Sequence, residues 1–149
     1  MVLAAWDLHI KRTTDLFNRF TDEELNKEIA PGKNRVIYLL GHLTAIHDAL
    51  FPLLGLGERK YSHLEEPFVE KKDKAISNLP TAQELRKAWD DTNNRLSEKL
   101  KGVSPAEWLQ KHTQISDEDF AKEPHRNRLN VVINRTNHLA YHLGQLALA

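Results

Sequence analysis

Asn130 to Ala149 read NVVINRTNHLAYHLGQLALA. Apolar residues recur here at three- and four-residue steps, the period of an α-helix with one buried face. Val132, Ile133, Thr136, Leu139, Leu143 and Leu146 are expected to form that face, within a helix over about 129–148. From Leu129 onward the only formal charge is Arg135; there is no Lys, Asp or Glu. A helix on the outside of a bundle normally turns a charged face to water. This one has none, so it is expected to be central or covered by a partner.

His138 and His142 are spaced i, i+4. At about 100° per residue, that step leaves the two rings within about 40° of each other. Both imidazoles can therefore converge on one ion, which is how a helix presents two nitrogen ligands. The plain alternative is a pair of polar rings inside a bundle, each satisfied by water or a carbonyl. Asn134, Arg135, Tyr141 and Gln145 lie on or beside the same stripe. Leu139 follows His138, so the His-Glu-x-x-His chemistry of metalloproteases is excluded.

Two ligands are too few for a stable site. The second helix, about 34–54, reads NRVIYLLGHLTAIHDALFPLL and is apolar around most of its circumference. It offers His42 and His47, five residues and about 140° apart. His42 shares a face with Leu39, Ile46 and Ala49; His47 shares one with Leu43, Leu50 and Phe51. Both faces are apolar, so periodicity does not choose between them.

The remaining helices follow by the same period. One runs over about 2–20, with Leu3, Trp6, Ile10, Phe17 and Phe20 inward. Thr21 to Glu24 reads as a capping box, and Pro31-Gly32 breaks the chain. A third helix over about 81–101 is capped by Thr81 and Glu84 and turns Leu85, Ala88, Trp89, Leu96 and Leu100 inward. Ser104 to Trp108 reads as a short turn with proline at its first position. No alternating strand pattern competes. Two long connections, about 55–80 and 109–128, remain. Loops of that length are often functional. The second carries an acidic cluster followed by a basic one over Ser116 to Arg128, read as a solvated, capped loop.

The chain has 149 residues, 21 Lys plus Arg and 21 Asp plus Glu. That length suits one domain over 1–149. A neutral balance without a basic stripe argues against nucleic acid or an anionic membrane as partner. The sequence has no cysteine, which removes disulfides, thiolate ligands and a cysteine nucleophile. It fits a reducing compartment. No signal-peptide pattern is read at the start, and the apolar runs read as shorter than a membrane span. A cytoplasmic protein is expected.

His42-Leu43 in an apolar second helix, and Asn137-His138-Leu139-Ala140-Tyr141-His142-Leu143-Gly144-Gln145 in the last, resemble the DinB/YfiT-like superfamily. The resemblance spans essentially the whole chain, and His138/His142 with Gly144-Gln145 is its most specific part. It implies an all-α four-helix bundle of up-down-down-up course, with short extra helical turns in the connections. It implies a metal site of His42, His138 and His142 holding one divalent ion, zinc or nickel. His47 then becomes, with Arg135, Tyr141 and Gln145, a candidate for lining the pocket or orienting a ligand. The resemblance further implies a homodimer and, by analogy with active relatives, a transferase that uses a low-molecular-weight thiol on a small-molecule substrate; a metal-dependent hydrolase is the other enzymatic expectation. The competing expectation is a helical interaction module whose metal site is structural or incidental.

Overall fold

A computed structural model describes all 149 residues. Four long helices form the frame: α1 (Val2–Phe17), α2 (Val36–Asp48), α4 (Ala82–Lys101) and α7 (Arg128–Leu146). Shorter helices sit in the connections: α3 (Leu50–Leu53), α5 (Pro105–Trp108) and α6 (Asp117–Lys122). Glu24–Asn26 and Ser62–Leu64 make single 3₁₀ turns, and Glu66–Glu70 makes one π-helical turn. No strand forms.

The local signals act as their chemistry requires. The Thr81 hydroxyl accepts from the Glu84 N–H while the Glu84 carboxylate accepts from the Thr81 N–H, so α4 starts with two otherwise orphaned donors satisfied. Thr21 with Glu24 and Ser104 with Glu107 repeat this box. Ser116 caps α6 through the Asp119 N–H, so the acidic segment is a short exposed helix rather than an open loop.

α1 packs mainly on α7, and α2 mainly on α4. Along α2 with its continuation α3, and α4, His47 meets Asn93 and Phe51 meets Arg95, so residue numbers rise together. Along α1 and α4 they run in opposite senses: Thr14 meets Trp89, and Asp7 meets Ser97.

The core is one apolar body in two lobes. Phe17, Leu39, Leu40, Leu43, Phe68, Leu85, Trp89 and Leu139 belong to the larger; Trp6, Leu50, Phe51, Leu96, Leu100 and Val132 belong to the smaller. At roughly 25 cal/mol per Å² of apolar surface removed from water, this burial is the main term holding the helices together. Val36–Leu53 is long and apolar enough to cross a membrane by length and composition, longer than the runs counted from sequence. It is instead the core helix: 72% of it is buried within the bundle.

α7 differs from expectation in one respect. It is not central. Val132, Thr136, Leu139, His142 and Leu146 are buried, but Ile133 is exposed and Leu143 only half-buried. Its outer face carries Ile133, Asn134, Asn137 and Tyr141. Amides and a phenol hydrate that face without formal charge.

Candidate metal centre

Packing of α2 against α7 brings His42 to His138 and His142. The Nε2 atoms of His42 and His138 lie 3.4 Å apart, and those of His138 and His142 3.1 Å apart. One ligand nitrogen from each ring fits within 4.8 Å of the other two. Zinc–nitrogen bonds of 2.0–2.1 Å in a tetrahedron would place nitrogens roughly 3.3 Å apart. The spacing suits a single ion.

Hydrogen bonding on the far side of the rings sets which nitrogen faces inward. Nδ1 of His42 is 2.8 Å from the Phe68 carbonyl. A carbonyl only accepts, so Nδ1 carries the proton and Nε2 of the neutral ring is a bare lone pair. Nδ1 of His142 likewise donates to Oε1 of Gln145 at 2.7 Å, and Gln145 Nε2 donates to the Tyr141 hydroxyl at 3.0 Å. Two bare lone pairs therefore point at the Nε2 of His138, whose Nδ1 is buried without a partner. A proton on His138 can answer at most one of them well. A cation answers all three, so the donor set fits a metal ion.

The electrostatics agree. Burial is the largest cause lowering the pKa of each ring below the usual histidine value: His42, His138 (to about 4) and His142. The bonds to Phe68 and Gln145 oppose that shift at His42 and His142. Neighbouring rings and Arg135 add to it at His138. All three are held neutral at pH 7, the form that coordinates.

The Phe68 carbonyl reaches His42 because the backbone of α2 is open at Gly41. A Cβ there would fall 2.5 Å from the Phe68 ring. The ring fills that gap, fully buried, and the π-helical turn carries its carbonyl to the histidine.

The other sequence candidates separate. Gln145 orients His142. Tyr141 is 64% exposed, and its hydroxyl holds Gln145. Arg135 is half-buried beside the triad. His47 is fully buried elsewhere, between the rings of Trp6 and Trp89, with Nδ1 2.8 Å from Asn93 Oδ1. Sequence reading missed Phe68, since a backbone carbonyl carries no residue signal. A glycine in the middle of an apolar helix, directly before His42, was the available hint of a close approach. A groove of about 730 Å³ lies between the middle connection and α4, over Tyr61, Leu64, Pro67, Leu79, Leu85 and Ala88, and none of the three clustered histidines lines it.

Helices that aim three neutral imidazoles at one point make a bundle whose facing helices carry a histidine cluster compatible with a metal ion. The chain belongs to the DinB superfamily, whose family profile matches residues 5–146 and so includes all three histidines. No curated protein matches it.

Proposed function

We propose that the protein is a metal-dependent enzyme in which His42, His138 and His142 hold one divalent ion, zinc or nickel. The observation that carries this is the convergence of three Nε2 atoms with two of the outer nitrogens already committed to Phe68 and Gln145. Structural zinc sites are usually closed by four protein ligands. Here the cluster contains three and no carboxylate or cysteine. A divalent ion so held keeps its charge and an open position, where it acts as a Lewis acid and lowers the pKa of what binds. The residues supply the rest: two pinned rings fix the donor directions, and burial keeps them unprotonated.

The finer reading is transfer to or from a low-molecular-weight thiol. It is supported by the family and by the absence of cysteine from the chain: a thiol reaction here needs a thiol from outside. The second reading, a module that binds another protein without catalysis, is favoured by the uncharged outer face of α7. Pairing of two copies over that face is compatible with either.

The test is elemental analysis of protein purified without a histidine tag, wild type against His138→Ala. About one equivalent of transition metal, lost in the variant, is expected for a three-ligand site. Metal-free wild type that stays empty after addition of zinc or nickel would refute the assignment. A screen of thiols for changes in the spectrum of the nickel-loaded protein then tests the finer reading.

A further inference from the structure

Arg135 is the one formal charge between Leu129 and the end of the chain. Three residues before His138 and seven before His142, it shares their stripe within about 60°, and its Cα lies about 4.5 Å along the axis from that of His138. The side chain is half-buried, and its Nε is buried without a hydrogen-bond partner. Two other half-buried arginines are answered by carboxylates, Arg35 by Asp73 and Arg59 by Asp48 and Glu65. Arg135 is not, and Arg128 at the start of α7 also lacks an ion pair. The one carboxylate that acts on the triad, Glu65 on His42, is held at 2.6 Å by Arg59. Arg135 in turn lowers the proton affinity of His42, His47 and His138, so its charge is felt by these rings.

A guanidinium drawn partly out of water without a counter-ion is costly. Such local violations concentrate at functional sites. With a divalent ion present the uncompensated charge would only grow. We propose that Arg135 recognises the anionic end of the substrate: it takes the carboxylate of a small acid whose other end reaches the position between His42, His138 and His142. The second contact rests on the metal reading; the first does not. A carboxylate is preferred to a phosphate because one planar fork matches it in both charge and shape. A phosphate carries more charge and more acceptors, and the other cation on the stripe, Arg128, stands about 10.5 Å along the axis from Arg135 with its guanidinium turned to Gly55.

The test is calorimetric titration with glycolate, its uncharged amide glycolamide, and inorganic phosphate. Wild type and Arg135→Gln are each titrated metal-free and zinc-loaded. Charge-assisted bonding of this kind is worth about tenfold or more in affinity. The glycolate-to-glycolamide preference of wild type is expected to fall by that factor in Arg135→Gln, with zinc content unchanged. An equal preference in both proteins overturns the proposal. Arg135-dependent binding of phosphate above glycolate overturns the choice of carboxylate. Failure of zinc to load refutes the metal reading alone, since the metal-free titrations still report on Arg135. Should Arg135→Gln not fold, Arg135→Lys takes its place: a cation without the fork should keep only part of the preference, and full retention counts against the assignment.

Discussion

His42 and His47 share α2, and the bundle uses them in opposite ways. His42 gives its outer nitrogen to the Phe68 carbonyl and turns the inner one, bare, toward two more rings. His47 has a single partner, Asn93, and two indole walls; its Nε2 meets no polar group. Asn93 is itself held by the Trp89 carbonyl. One histidine presents a bare nitrogen to a cluster of rings, whereas the other is closed into the core. The difference lies in what each ring faces, and buried polarity alone would have marked both.

The largest test of that contrast is metal content. His42→Gln is expected to drop from about one equivalent to none, because two ligands make a poor site. His47→Gln is expected to keep its metal. Loss in both variants would mean that the two regions are not separate.

Acid stability sharpens it next. Burial pulls the His47 pKa down to about 3, with Asn93 opposing, whereas an unfolded chain titrates near 6.5. Between those values the unfolded state holds the extra proton. The contribution of His47 is therefore complete above about pH 6.5 and lost as pH falls toward 3. By pH 5 the loss is about 2 kcal/mol. Urea midpoints of metal-free wild type and His47→Gln at pH 7.5 and pH 5 read it directly. The triad rings, also lowered, contribute in both proteins and cancel. An identical pH dependence would show that His47 is not sealed.

Gly41→Ala attacks the other histidine from behind. The new methyl would meet the buried Phe68 ring at 2.5 Å, so ring, turn and carbonyl must shift. Overpacking of this kind costs about 1–3 kcal/mol. The urea midpoint should fall, and zinc affinity with it, as the Phe68 carbonyl leaves Nδ1 of His42. A variant that loses stability but binds zinc as wild type does would deny the carbonyl its orienting role.

These effects also show what could be read from sequence. The four long helices were legible because their apolar stripes and caps are local signals; α4, read over about 81–101, forms over Ala82–Lys101. The pair His138/His142 was legible because a helix fixes its own geometry. The choice of His42 over His47 was not, since it depends on how α2 rotates against α4 and α7, and only family resemblance supplied it. Ile133 was assigned to the core because apolarity suggests burial, but α7 packs over a narrower face and leaves it 38% exposed. The π-helical turn at Glu66–Glu70 falls in a stretch read only as a long connection. Its placement is set by the gap at Gly41, a tertiary fact.

The smallest effect expected is also the most specific. Gln145 makes no ion contact of its own; it accepts the Nδ1 proton of His142 and is steadied by Tyr141. Removing such an outer partner typically lowers metal affinity about 10–100-fold. Gln145→Ala should do so while leaving the unfolding midpoint nearly unchanged, because the helix still holds the ring on its face. Gln145→Glu should move the other way. A carboxylate accepts the same proton more strongly and raises the electron density at Nε2, so zinc should bind at least as tightly as in wild type. The opposed signs separate orientation and basicity from packing: a lost packing contact would weaken both variants. Competition of each with a zinc chelator of known affinity makes the comparison, and equal weakening in both would remove Gln145 from the site.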